Sequence, residues 1–277
     1  MTETNIPNFL YGTAWKEHRT RSLTELALKT GFVGIDTANQ RKHYWEEEVG
    51  YGLLAAYEST NIVRENIFLQ TKYTFARGQD HRLPYNLKSD IATQVTQSLH
   101  SSLLHLHTHY LDSYVLHGPS LAYGLSDNDW EAWHAMEKMH QKGLVKFLGI
   151  SNVSHEQLAL LYKYATVKPA FVQNRCFAQQ QWDKEIRQFC KISGITYQGF
   201  SLLTANKLYL DHPIINDIAQ LNNKTTQQII FKFAQQLGIL PLTGTSDVEH
   251  MKLDLDVINF TLAKEQIELI ENIAIEC

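Results

Sequence analysis

Short apolar runs alternate with helical stripes along the chain, and each strand-like run is followed by a helix-like segment. Asn8-Phe-Leu-Tyr11 predicts a first strand. Ser22-Leu-Thr-Glu25 then has the form of an N-terminal capping box, with Leu23, Leu26 and Ala27 on one helical face and Gly31 as the stop. The run from Gly31 to Asp36 predicts a second, buried strand that delivers a carboxylate to its C-terminal edge. A helix from about Glu46 to Tyr57 follows, then a strand over Ile67–Thr71 and a polar loop over residues 74–88. Ile91, Val95, Leu99 and Leu103 mark a third helix by their four-residue spacing.

The second half keeps the rhythm. A strand is predicted over Leu111–Leu116. The stripe Trp130, Trp133, Met136, His140 then reads as a helix packed on a core and stopped at Gly143. A strand over Val145–Ile150 precedes Ser154-His-Glu-Gln157, a second capping box. Ala170–Gln173 predicts a strand, Ile186, Phe189 and Cys190 a helix face, and Ile195–Gly199 another strand. Helices are expected over Ile214–Leu221 and from the cap Thr225-Thr-Gln-Gln228 to Leu237. A strand over Ile239–Leu242 and helices over Val248–Asp254 and Leu262–Ile273 complete the pattern. Eight strand–helix units without a Pro/Ser-rich linker predict one α/β domain over residues 1–277, a (β/α)8 TIM barrel. A doubly wound open sheet is the alternative. No G-x-G-x-x-G follows the first strand and no G-x-x-x-x-G-K-[ST] occurs, so a Rossmann site or a phosphate loop has no support.

Composition narrows the partners. With 44% hydrophobic residues and a net charge of −4, nothing recommends nucleic acid or an anionic membrane. The opening Met-Thr-Glu-Thr-Asn lacks the basic-then-apolar layout of a signal peptide, and no apolar run is long enough to span a bilayer. Cys176, Cys190 and Cys277 form no C-x-x-C pair and read as unreactive, so a cytoplasmic location is expected. His100, His105, His107 and His109 crowd one stretch, but no Cys or carboxylate completes a ligand set there, and no metal is expected. Glu46, Glu47 and Glu48 complement a helix dipole.

The chemistry collects at strand ends. Asp36, Lys72, His117 and the pair Ser151-Asn152 each close a predicted strand, and in a barrel such positions converge on one mouth. A buried Lys beside an Asp can be a structural ion pair and nothing more. Tyr44, in the loop after Asp36, together with His117 favours catalysis. An ammonium beside a phenol is expected to lower the phenol's pKa, with the Asp holding the Lys charged. A histidine nearby would hydrogen-bond a carbonyl oxygen as negative charge develops on it. Such a set suits protonation of an oxyanion while hydride arrives at carbon.

Tyr11-Gly12-Thr13, Gly34-Ile35-Asp36-Thr37-Ala38, Val49-Gly50, Thr71-Lys72, Tyr110 to His117, Leu148 to Asn152, Lys168 to Gln173 and Phe200-Ser201-Leu202-Leu203 occur in this order through nearly the whole chain. In these motifs the sequence resembles the aldo-keto reductase superfamily. The resemblance implies an NAD(P)(H)-dependent reductase of small-molecule carbonyls, monomeric, with the cofactor extended across the barrel mouth. Asp36, a tyrosine, Lys72 and His117 would be catalytic. Ser151, Asn152 and Gln173 would hold the nicotinamide carboxamide and Phe200 would stack on the ring. Gly12 and Thr13 at the first strand end, with Asp36, would also contact the cofactor, while Ser201, Leu203, Thr243, Thr245, His250 and Asp254 would follow the pyrophosphate and adenosine.

The sequence departs from that pattern at several points. The family tyrosine usually stands five residues after the Asp, where this chain has Arg41; counting back from Val49-Gly50 lands on His43. Tyr44, one further on, is taken as the proton donor, with His43 as the alternative. Leu242 and either Val248 or His250 replace the Lys and Arg that commonly hold a 2′-phosphate. NADP(H) is the expected cofactor by family habit and NAD(H) the alternative, with His250 and Lys252 as partial substitutes. The loop that straps the cofactor after Ser201 is short, and no tail follows the last helix before Cys277. Both predict an open pocket and a broad substrate range, with residues 74–88 as a replacement wall. Leu202, where relatives often have Pro, is expected to matter little. The displaced tyrosine also admits a nucleotide-binding regulatory protein of the same fold with little turnover.

Overall fold

The computed structural model describes residues 6–274; Cys277 and the first five residues lie outside the described residues. Eight parallel strands close into a barrel in sequential order. They are β1 (Leu10–Gly12), β2 (Gly34–Asp36), β3 (Phe68–Tyr73), β4 (Leu111–Leu116), β5 (Val145–Ser151), β6 (Phe171–Arg175), β7 (Thr196–Phe200) and β8 (Ile239–Thr243), with β8 pairing back onto β1. The (β/α)8 fold expected from the alternating pattern is present, and every predicted strand lies within a few residues of an observed one.

Both faces of the sheet are covered, which is why the strands read as continuous apolar runs. Every residue of β4 is buried. Outward-facing Leu69, Ile150 and Val172 join helix residues such as Trp133 and Phe233 in one large core. Leu10, Phe68, Phe171, Leu240 and Leu242 form a separate plug inside the barrel. Each such side chain contributes roughly 1.5–3 kcal/mol on burial. Towards the C-terminal ends of the strands the lumen changes character. Asp36, Gln70, Lys72, Gln173 and Gln198 are all buried there. An apolar floor beneath a polar upper layer places the chemistry at one end of the barrel.

The helices begin and end largely as their signals direct. Ser154 and Thr225 accept from the amides of Gln157 and Gln228 as capping boxes. Gly31 takes a φ of 118° and closes the helix Thr20–Thr30, a conformation few residues but glycine adopt. The expected cap at Ser22 is not formed. A 3-10 turn, Glu17–Arg19, runs directly into the helix, so Ser22 lies inside it. Its hydroxyl donates back to Arg19 O at 3.1 Å, and Thr20 Oγ1 donates to Glu17 O at 2.7 Å. Glu25, freed from the box, pairs with Lys29 at 2.6 Å.

His105 is engaged with Glu46 at 3.1 Å, which raises its pKa. Among the described residues, no group of His, Cys, Asp and Glu is placed to hold a metal ion, and no helix is long and apolar enough to cross a membrane.

Candidate active site

The centre of the mouth is an ion pair without solvent. Lys72 is fully buried, and its Nζ donates to Asp36 Oδ1 and Oδ2, both at 2.7 Å, and to Thr37 O at 2.8 Å. All three ammonium hydrogens are thereby committed. Burial pulls the Lys72 pKa down, and the Asp36 carboxylate opposes that shift. Asp36 sits at the end of β2 in register with Gln70 on β3, so backbone pairing fixes the spacing of the pair.

Tyr44 reaches this pair through a turn. The extra residues after Asp36 coil back, with the amides of His43 and Tyr44 donating to Gln40 O at 3.1 and 3.0 Å. The turn absorbs the added length and sets the Tyr44 ring with its centroid 5.4 Å from Lys72 Nζ and 6.0 Å from the His117 ring. Among the described residues none hydrogen-bonds the Tyr44 hydroxyl. Its pKa moves opposite to expectation. Burial raises the phenol well above its ordinary value and the Asp36 carboxylate adds to the rise. The Lys72 ammonium is paired with both oxygens of Asp36, whose negative charge offsets it at the phenol.

His43 is turned elsewhere. Its ring lies 4.0 Å from the Trp15 ring, and its Nδ1 meets Gln40 Oε1 at 3.0 Å. Residues 74–88 do not wall the cavity as expected; they brace this turn. Gln79 Nε2 donates to Asn39 O at 2.8 Å, Gln40 Nε2 to Gly78 O at 2.6 Å, and Tyr85 Oη to Thr74 O at 2.7 Å.

His117 follows β4. Its Nδ1 meets Thr74 Oγ1 at 2.7 Å, leaving Nε2 as the nitrogen available to a ligand. Burial, then the positive charges of Lys72 and His43, push the imidazole down to about 3, so it is neutral at ordinary pH. Beyond it, Ser151 Oγ donates to Gln173 O at 2.6 Å and Asn152 Nδ2 donates to His117 O at 2.8 Å. Asn152 and Ser201 both take left-handed backbone, with φ of 51° and 58°. Non-glycine residues held this way at strand ends mark positions that the surrounding structure determines.

A cavity of about 950 Å³ runs from this cluster across the barrel mouth. It is lined by Gly12, Asp36, Tyr44, His117, Ser151, Asn152, Gln173, Phe200, Ser201, Leu203, Thr243, Thr245, His250 and Asp254, which brings together nearly all the residues singled out from sequence. Several expected residues stand apart from its wall. Lys72 lies beneath it, and Thr13 is turned inward, with Oγ1 donating to Asp36 O at 3.0 Å. Lys252 is paired with Glu249 at 2.7 Å and does not reach the cavity. Asp254, beside His250, accepts from Thr243 at 2.7 Å, and burial pushes its carboxyl up to about 6.

Sequence reading missed Lys16 and Lys207, the two lysines on the cavity wall. Lys16 donates to Gly244 O and bridges the loops after β1 and β8, with burial lowering its pKa. Its only sequence signal is a position four residues beyond Gly12. Gln70 and Gln198 were missed as well. Each is a polar residue two positions before a residue of the site on the same strand, Lys72 and Phe200, hence on the same inward face.

Residues 11–275 match the sequence model of the Aldo/keto reductase family. The chain is 29% identical over 245 residues to glyoxal reductase of Bacillus subtilis, covering 88% of this chain and 80% of that protein. It is 31% identical over 254 residues to the NAD/NADP-dependent indole-3-acetaldehyde reductase of Schizosaccharomyces pombe, covering 90% and 82%. The crystal structure of an aldo/keto reductase from Brucella melitensis superposes with a TM-score of 0.81 at 28% identity, over 98% of this chain and 97% of that one. The chain belongs to the aldo/keto reductase family and is an oxidoreductase.

Proposed function

We propose that this single barrel domain reduces small aldehydes and ketones to alcohols with a nicotinamide dinucleotide, and that Tyr44 is the proton donor. The observation that carries the reading is the grouping, on one wall of a long cavity, of Tyr44 with its ring 5.4 Å from Lys72 of the Lys72–Asp36 pair and edge-on to His117 at 6.0 Å. The donor set suits a dinucleotide. Phe200 offers an aromatic face at the end of β7, Gln173 an amide, and Lys16 and Lys207 positive charge along the same wall. At about 950 Å³ the cavity is at the upper end of ligand sites and longer than a small carbonyl needs.

Ser151, Asn152 and Gln173 would hold the carboxamide, Phe200 the nicotinamide face, and Ser201, Leu203, Thr243, Thr245, His250 and Asp254 the rest of the molecule. When bound, the dinucleotide supplies hydride to the carbonyl carbon. The protein supplies the proton and the geometry. His117 Nε2, on a neutral ring held by Thr74, donates to the carbonyl oxygen and orients it. Tyr44 stays protonated at every ordinary pH because burial and Asp36 raise its pKa. Its proton leaves only when the stronger base, the substrate oxyanion, forms beside it. Lys72, held by Asp36, places positive charge beneath the phenol as its oxygen turns negative.

NADPH is the preferred form in this reading, with NADH accepted, since the adenosine end offers His250 but Leu242 where a Lys would reach a 2′-phosphate. The S. pombe relative's name carries both cofactors. Substrate range is broad, because none of residues 74–88 lines the cavity. The test is nucleotide oxidation with NADPH and NADH across a panel of aromatic aldehydes and dicarbonyls, run beside direct nucleotide binding. Turnover with a preference for NADPH is expected. Tight binding without turnover across the panel would replace this reading with that of a regulatory nucleotide-binding protein.

A further inference from the structure

Beneath the cavity floor lies a closed circuit of three glutamines and one carboxylate. Gln70 Nε2 donates to Asp36 Oδ1 at 2.7 Å and to Gln198 Oε1 at 2.8 Å. Gln173 Nε2 donates to the same two oxygens, at 3.0 and 2.9 Å. Gln198 Nε2 returns a bond to Gln70 Oε1 at 3.0 Å. All four side chains are buried, and the register pairs Asp36 with Gln70 and Gln173 with Gln198. The circuit thus ties β2 and β3 to β6 and β7 across the lumen.

The carboxylate dictates every amide orientation in it. An ionised carboxylate only accepts, so Gln70 and Gln173 must each turn Nε2 towards Asp36. Two Nε2 groups then face Gln198, which must answer with Oε1, and its own Nε2 is left for Gln70. Reversing any one amide would set oxygen against oxygen in a buried site, at high cost. Gln173 consequently presents Oε1 outward to the cavity it lines, and among the described residues nothing donates to that oxygen.

We infer that Gln70 and Gln198 are positioning residues that brace the Gln173 amide, whose orientation Asp36 sets, and so hold its oxygen in place towards the cavity, preset to accept from the carboxamide N–H of the nicotinamide. The inference rests on the reductase reading. It adds that the state of the carboxylate that holds Lys72 and the grip on the nicotinamide are set by one circuit. Neither Gln70 nor Gln198 lines the cavity. Their effect on cofactor is therefore indirect and confined to the nicotinamide end.

That confinement makes the test specific. Wild type, Gln198→Leu, Gln198→Glu and Gln70→Leu are titrated with NADPH and with 2′-phosphoadenosine diphosphoribose, which lacks the nicotinamide, by tryptophan fluorescence quenching. In Gln198→Leu and Gln70→Leu the Kd for NADPH is expected to rise on the order of tenfold, the size that losing one buried amide contact carries. The Kd for the diphosphoribose should stay within about twofold, the scatter expected of remote surface effects. Gln198→Glu should restore NADPH affinity, since a buried carboxylic acid held protonated beside Asp36 offers both an acceptor and a donor. Parallel losses for both ligands, or no loss for NADPH, would overturn the inference. If Gln198→Leu binds neither ligand because it is unfolded, Gln70→Leu carries the same comparison. Failure of the wild type to bind NADPH at all would instead defeat the reductase reading.

Discussion

The two ends of the barrel each carry a buried carboxylate with a cationic partner, and they are built for different ends. At the C-terminal mouth, Asp36 holds Lys72 with no solvent access, under a cavity and beside Tyr44. At the N-terminal ends of β3, β4 and β5, Asp112 accepts from Arg64 at 2.8 Å, from Lys146 at 2.8 Å and from the Leu69 amide at 3.0 Å. Arg64 and Lys146 also lie 4.1 and 4.5 Å from the Tyr110 ring. Asp112 does not line the cavity at the mouth. The lower cluster stitches three strands together. In the proposed reaction the upper cluster keeps a fixed charge beside the group that would give up a proton. In a barrel, position along the strand axis decides which role an ion pair takes.

Paired substitutions should separate the two roles. Asp36→Asn keeps an acceptor for Lys72 but removes the charge that orients it; turnover is expected to fall about 10²-fold or more, measured as kcat on the fastest substrate. Asp112→Asn should leave kcat unchanged and cost about 1–3 kcal/mol of stability in urea unfolding. Arg64 carries most of that loss, because Lys146 is more than a third exposed and its pairing is screened. Equal losses of activity in both variants would erase the distinction.

A pH experiment sharpens it further. His117 is held down to about 3 in the folded protein against 6.5 when free. Between those values the unfolded chain binds a proton that the folded chain refuses, so stability falls as pH drops through that window. His117→Asn should flatten this part of the Tm-against-pH curve. Retention of the full slope in that variant would move its origin away from His117. The smallest effect is expected at the adenosine end. His250→Arg, on the exposed cavity wall, should improve NADPH affinity a few fold while leaving NADH nearly unchanged, about the worth of one partly exposed charge contact.

The barrel was readable because its signals are local. Alternation of strand and helix, the caps at Ser154 and Thr225 and the stop at Gly31 each act within one or two turns of chain. Asp36, Lys72 and His117 were readable for the same reason, as chemical residues ending apolar runs. Ser22 misled because its motif has the right letters, while the 3-10 turn before it, set by packing, starts the helix earlier. The pKa of Tyr44 was misjudged because proximity to a lysine was foreseen and the prior claim of Asp36 on that lysine was not. Gln70 and Gln198 escaped notice because their meaning is a contact across the lumen, 128 residues apart in sequence. Lys16 was missed for a similar reason, since its partner lies on the loop after β8.

The most direct measurement is the single-turnover rate of hydride transfer in Tyr44→Phe, with NADPH binding measured on the same protein. The predicted result is a rate lower by about 10²–10⁴-fold, the range for loss of a positioned general acid, with nucleotide affinity unchanged. Activity equal to wild type in Tyr44→Phe would contradict the assignment and turn attention to His43.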